Sequence, residues 1–311
     1  MGLSTDFPDP TFLKAADGKW YAFGSNGNDK RIQVAKSTDF NTWTLLNIDA
    51  LTTLSTWETD KDHWAPSVIL RHIKMSQANK QTLTNAQDDG KYVMYYSGES
   101  KLSIGHHCIG TAISESPTGP YIPSNTPLSC RLNQGGSIDP SGFQDADGTR
   151  YAVFKVDGNS IGHGGDCNNG IEPLVQTPIM IQKLQADGVT PVGDAVQILD
   201  RDTVDNDGPL VEAPSLLLHQ GVYYLFYSTH CYTDKAYDLR WATASSIGGP
   251  YRKKNVQLLE TGQHGLTSPG SATVCGCGDR MLFHGFCNSA KTTRCMYVAD
   301  VSLSGEDAVI S

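Results

Sequence analysis

A three-part unit recurs five times along the 311-residue chain, and it restricts the fold more than any other feature. Each copy opens with a short strand led by an X-Pro step. A turn follows, then a glycine with an aromatic-rich strand, then a third strand ending in small and polar residues. The first copy runs through Asp9-Pro10-Thr11-Phe12-Leu13, Gly18-Lys19-Trp20-Tyr21-Ala22-Phe23 and Ile32-Gln33-Val34-Ala35. Trp64-Ala65-Pro66 leads the second, Asp139-Pro140 the third and Glu212-Ala213-Pro214 the fourth, while a degenerate fifth begins at Gly270-Ser271. Proline is tolerated at the first residue of a strand because its missing N–H need not enter the ladder. Asp17-Gly18 and Asp147-Gly148 suit tight hairpins. No stretch sustains a 3.6-residue period. Five small antiparallel sheets without intervening helices cannot each bury a core alone, but set radially their faces cover one another. An all-β, five-bladed β-propeller, one domain spanning residues 1–311, is therefore predicted. A β-sandwich would leave the repeated three-strand unit unexplained.

Charge narrows the partners. A net charge of -9 argues against nucleic acid and anionic membranes, both of which demand a basic face. No apolar run approaches the roughly 20 residues of a membrane span. A neutral sugar substrate and a monomeric protein fit these limits. Residues 1–4 have neither a basic start nor an apolar stretch, so no signal peptide is read there. The eight cysteines are even in number, and Cys275-Gly276-Cys277 lacks the C-x-x-C spacing of a usual zinc site. Disulfides in an oxidising, extracellular setting are expected over free core thiols or metal. Cys287 and Cys295, flanking a hairpin turn, form the expected local pair.

If the X-Pro strands are innermost, Asp9, Asp139 and Glu212 stand at equivalent strand starts around one mouth of the central channel. Any one of them alone reads as an ordinary turn residue. Three converging acids suit glycoside hydrolysis, which needs one carboxyl to protonate the leaving oxygen and another to activate water or attack. Proline after Asp9 and Asp139 is expected to hold both in extended backbone.

The segments Phe7-Pro8-Asp9-Pro10, Trp64-Ala65-Pro66, Ile138-Asp139-Pro140-Ser141 and Val211-Glu212-Ala213-Pro214 together resemble glycoside hydrolase family 43, as does Tyr224-Leu225-Phe226-Tyr227-Ser228 followed by Trp241-Ala242-Thr243-Ala244. The resemblance spans the chain and implies a five-bladed propeller that hydrolyses xylan and arabinan linkages of plant cell walls with inversion. It implies Asp9 as general base and Glu212 as general acid, roughly 6.5–9.5 Å apart. Asp139 would orient Glu212 and raise its pKa. Trp64 would form an apolar wall for the sugar, against the alternative of a packed core tryptophan. Tyr232, Tyr237 and Asp238 fall in a loop that could cap the pocket, with Tyr237 taken as substrate-binding. Asp6 reads as a solvated neighbour, and His106-His107 as loop residues. His284 resembles a family histidine near a central ion, so a structural calcium is an expectation beside the alternative of a satisfied core histidine. The chemistry itself requires no cofactor. Sucrose- and fructan-processing relatives show Asn-Asp-Pro, Arg-Asp-Pro and Glu-Cys, none of which occurs here. A non-catalytic sugar-binding propeller would have lost an acid. The loops after Ile73 and Ile161 are expected to block one side of the groove, which favours an exo-acting β-xylosidase/α-L-arabinofuranosidase over an endo-1,5-α-L-arabinanase.

Overall fold

The computed structural model describes residues 1–73, 87–276 and 279–310. Their strands form five antiparallel sheets, each of four strands consecutive in sequence. Blade one comprises β1 (Thr11–Lys14), β2 (Trp20–Gly24), β3 (Gln33–Ser37) and β4 (Thr44–Asp49). Blade two comprises β5 (Trp64–Ile73), β6 (Gln87–Glu99), β7 (His107–Ser114) and β8 (Ile122–Pro123). β9 (Ser137–Gln144), β10 (Arg150–Val156), β11 (Ile179–Leu184) and β12 (Val196–Leu199) make blade three. β13 (Val211–His219), β14 (Val222–Thr229), β15 (Asp238–Ala244) and β16 (Arg252–Lys253) make blade four. β17 (Gly270–Val274), β18 (Arg280–Phe286), β19 (Arg294–Ser304) and β20 (Asp307–Ile310) complete the five-bladed propeller. The fourth strand of each blade is an addition to the predicted three-strand unit. Two of these, β8 and β16, are only two residues long, too short to leave an alternating pattern in the sequence.

The core lies between blades, as the radial argument requires. Tyr21, Phe23 and Val34 of blade one meet Val68, Met94 and Tyr96 of blade two. Val93 and Tyr95 meet Ala152 and Leu184 at the next junction. Phe143 and Ile181 pack with Leu216 and Leu225, Phe226 and Trp241 with Met281 and Phe283, and Phe12 and Ala22 with Leu282 and Met296. Each junction thus has its own apolar cluster. The first strand of each blade contacts the first strands of its neighbours, which puts β1, β5, β9, β13 and β17 around the axis.

The N-terminal segment closes the circle. Gly2 and Leu3 donate their amides to the Met296 carbonyl at 2.9 and 3.1 Å, and Met296 donates to the Leu3 carbonyl. Disulfides join Cys108 to Cys130, Cys167 to Cys231 and Cys287 to Cys295, the last being the expected pair. Cys277 lies outside the described residues. The described helical segments are short 3₁₀ turns, none long enough to cross a membrane.

Packing between strands is close where a glycine faces an aromatic ring. A Cβ on buried Gly110 would sit 2.4 Å from Cζ of Tyr96, whose hydroxyl donates to Glu58 Oε1 at 2.9 Å. Gly110→Val should therefore lower stability by about 1–3 kcal/mol, the usual cost of overpacking. Urea unfolding should show a lower midpoint with the slope unchanged.

Candidate active site

The innermost strands carry one unusual residue apiece. Asp9, Ala65, Asp139, Ala213 and Ser271 all have positive φ, between 44° and 55°. This replaces the extended backbone expected at Asp9 and Asp139. A left-handed non-glycine residue costs about 1–2 kcal/mol, so something must hold it. Each of the five donates its N–H to a side chain of the preceding blade. Ala65 bonds Ser25 Oγ at 2.8 Å, Asp139 bonds Ser97 Oγ at 3.0 Å, and Ser271 bonds Ser228 Oγ at 2.9 Å. Asp9 bonds His284 Nδ1 at 3.0 Å, and Ala213 bonds Asp139 Oδ2 at 3.0 Å.

This pattern corrects the expected register of the acids. Asp9 and Asp139 are equivalent positions, but Glu212 stands one residue earlier than the equivalent Ala213. In the ladders Glu212 pairs with Ser228 just as Trp64 pairs with Ser97 and Ile138 with Lys155. Glu212 is thus the fourth blade's counterpart of Trp64. Both project into the same pocket, of about 370 Å³, with Asp9, Asp139, Lys155, Asp157, Tyr232, Tyr237 and Arg294 in its lining. A larger cavity of about 870 Å³ opens at the opposite ends of the inner strands, where Lys14 and Asp145 are the only charged lining groups among the described residues. It holds none of the three acids.

The surroundings of the acids differ sharply. Burial opposes the charge of Asp9, but Arg294 Nη1 lies 3.4 Å from Oδ1, and Ser25 Oγ donates to Oδ2 at 2.5 Å. With His284 alongside, these hold the Asp9 carboxyl well below the ordinary range. Burial and the neighbouring Glu212 push Asp139 the other way, up to about 8, with Lys155 and the Ala213 amide pulling against them. The expectation was that Asp139 would displace the ionisation of Glu212; the group its surroundings displace most visibly is Asp139 itself. Lys155, 1% exposed, places Nζ 3.2 Å from Glu212 Oε2 and 3.2 Å from Asp157 Oδ1.

Trp64 is half-buried and stacks on His107 at 3.8 Å between ring centroids, so it lines the pocket as one wall. His107 belongs to β7 and not to a loop. Tyr237 is 1% exposed and stacks parallel to His284 at 6.0 Å. It is floor, not cap: Gly270 is required beneath it, since a Cβ there would come within 2.2 Å of the tyrosine ring. Tyr232 is the exposed one, with the Arg294 guanidinium 4.8 Å from its ring centroid. Asp238 leaves the pocket altogether and pairs with Arg240 in β15. Asp6 is not merely solvated, because its Oδ1 accepts the Arg294 amide at 2.8 Å.

His284 has no companion ligands for a metal among the described residues. Its Nδ1 accepts the Asp9 amide at 3.0 Å, and its Nε2 is buried without a hydrogen-bond partner among the described residues. Burial lowers its pKa, consistent with a neutral ring. Among the described residues no group of three or more His, Cys, Asp and Glu is arranged to hold a metal, and calcium is not supported.

Sequence reasoning missed Ser25, Lys155, Asp157 and Arg294. For Ser25 and Lys155 a signal existed: each stands within two residues of the end of a repeat's second strand, as His284 does. Arg294 opens β19 at the foot of the Cys287–Cys295 hairpin, where no pattern singles it out.

Residues 3–301 match the family model described as glycosyl hydrolases family 43. The chain is 27% identical over 288 residues to the extracellular endo-α-(1→5)-L-arabinanase 1 of Bacillus subtilis (strain 168), covering 89% of this chain and 77% of that protein. It is 29% identical over 247 residues to a xylosidase/arabinosidase of Bacteroides ovatus, covering 70% and 71%. Among solved structures, a thermostable family-43 glycoside hydrolase superposes with a TM-score of 0.79 at 24% identity, covering all of this chain and 94% of that one.

Two ionisation tests follow from the geometry. Native Asp139 holds its proton up to about 8 against an ordinary 3.8, so the folded state binds more protons than the unfolded chain between those values. Its contribution to stability is complete below the lower value and is lost as pH rises through the upper one. Asp139→Asn should flatten that part of the stability–pH curve measured by denaturant unfolding. Arg294→Met removes the cation facing Asp9 and should raise the Asp9 midpoint in a carboxyl-carbon NMR titration. An unmoved midpoint would mean that Arg294 does not hold the charge.

Proposed function

The chain belongs to glycosyl hydrolase family 43, and on that premise we propose that it removes pentose units from xylan- or arabinan-type glycosides of plant cell walls with inversion, acting from chain ends as a β-xylosidase/α-L-arabinofuranosidase. The observation that carries the proposal is the contrast across one small pocket: Arg294 and Ser25 hold Asp9 charged, while burial and the adjacent Glu212 push Asp139 toward its neutral form.

Asp9, kept anionic by Arg294 and Ser25, takes a proton from water as the water oxygen attacks the anomeric carbon. Glu212 gives its proton to the departing glycosidic oxygen, and Asp139, bonded to the Ala213 amide beside it, steadies the donor. The sugar leaves inverted, Asp9 protonated and Glu212 ionised, and exchange with solvent restores both. Trp64 supplies an apolar face against which a pentose ring can lie.

Action at chain ends is supported by the wall between blades three and four. Cys167 lines the pocket and is bonded to Cys231, next to Tyr232. The segment after Ile161 is thus tied across one side of a pocket near the small end of ligand sites, roughly 300–1,000 Å³. The loop after Ile73, the other expected barrier, lies outside the described residues. Endo-arabinanase is the second reading, favoured by the Bacillus subtilis relative. Extracellular action is part of the proposal and is supported by that relative and by the bonded cysteines.

Digestion of linear arabinan and xylo-oligosaccharides should release single pentoses, with the inverted anomer appearing first by proton NMR. A spread of oligosaccharides would move the assignment to the endo reading. General acid catalysis typically supplies ~10²–10⁴-fold, and a poor alkoxide leaving group needs it far more than a nitrophenolate. Glu212→Gln should lose most of that factor on oligosaccharides and much less on a nitrophenyl glycoside, whereas Asp9→Asn should cripple both. Equal losses for Glu212→Gln would remove it from the acid's role.

A further inference from the structure

We propose that Lys155 is a positioning residue that governs the proton shared by Asp139 and Glu212 and aims Glu212 at the leaving oxygen, an inference that rests on reading Glu212 as the acid. It starts from the one departure in a five-fold pattern. At the inner end of the second strand, Ser25, Ser97, Ser228 and His284 each accept an amide from the next blade. Lys155 fills the same position in blade three, paired with Ile138 as His284 is with Gly270.

An ammonium has three donors and no acceptor, so Lys155 cannot take the Ala213 amide. Asp139 takes it instead, at 3.0 Å. The lysine is thereby free to turn toward the pocket, where its Nζ divides itself between Glu212 and Asp157 at 3.2 Å each. A buried ammonium is costly unless it is paired and hydrogen-bonded. A serine would meet the structural need, as it does in three of the other blades. The cation therefore points to the acid and not to the fold.

The charged and titratable groups around it come from every neighbouring element. Glu212 faces it from β13, Asp139 from β9 and Asp157 from the end of its own strand. Asp9 acts on Asp139, Tyr237 and His284 feel Glu212, and Arg294 neutralises Asp9 on the far side. With Lys155 in place, one positive charge stands against the pair and Asp157. Without it, the pair would keep its proton to higher pH and Glu212 would lose a fixed partner.

The test is the pH dependence of kcat/KM. Lys155→Ser, which restores the residue found in the other blades, should move the alkaline limb upward by about 1 pH unit or more, as expected on removing an opposite charge at this range. That is opposite in sign to Asp139→Asn, which removes a like charge from beside Glu212 and should move the limb down. Lys155→Arg keeps the charge and should leave the limb in place. Losses in kcat should be larger on oligosaccharides than on a nitrophenyl glycoside. A limb that stays or falls in Lys155→Ser overturns the inference. Should serine prevent folding, Lys155→Gln keeps the bulk without the charge and carries the same expectation; if neither folds, the lysine is a structural ion and the inference is likewise overturned. Equal losses on both substrates for Glu212→Gln, with the limb still raised by Lys155→Ser, would sink the acid's assignment while leaving the lysine's hold on the pair intact.

Discussion

Everything near the axis depends on five backbone amides that leave their own sheets. At Asp9, Ala65, Asp139, Ala213 and Ser271 the chain turns into left-handed geometry and hands its N–H to the preceding blade. The strain is about 1–2 kcal/mol per residue, and leaving a buried amide without a partner would cost a similar 1–3 kcal/mol. The turn and the hydrogen bond therefore stand or fall together. The bonds fix the rotational setting of each blade on the next. They also decide which strand residues look into the channel, and so the chemistry is set by the same contacts that assemble the wheel.

Around that frame the charges are distributed unevenly. Arg294 and Ser25 face Asp9, whereas Lys155 faces Glu212 and leaves Asp139 the most adversely placed of the three. Identical side chains are thereby pushed in opposite directions, Asp9 toward the charged form and Asp139 toward the neutral one. Asp9 and Asp139 occupy equivalent positions in the repeat, so the difference owes nothing to their own backbone. It comes from the partners that neighbouring blades present.

Much of this was legible in the sequence. The glycine-led aromatic strands and the prolines at 10, 66, 140 and 214 revealed five units, and the acids beside them marked the mouth of the channel. The outer strands were not legible, because β8 and β16 are two residues long and carry no alternation. The one-residue offset of Glu212 was written in the sequence, since Asp9 and Asp139 directly precede proline whereas Glu212, like Trp64, stands two residues before it. The ladder register bears the same offset out. Lys155 and Arg294 act across blade boundaries, and a contact between residues far apart in sequence leaves no local pattern. Tyr237 read as a lid because loop aromatics often are; its burial follows from Gly270, which sits on a different blade.

The closure of the circle bears on when the site comes into being. Asp9 lies at the start of the first blade, yet its partner His284 is 275 positions downstream and Arg294 is 285. Contacts of such span form late, because the loop entropy must be met before they give any return. Four blades stacked in order would still display Asp9 on an unsealed edge, without the groups that keep it charged. The charged state of Asp9 is thus a property of the finished ring alone, and a chain halted short of its fifth blade would lack it however well its earlier blades had formed.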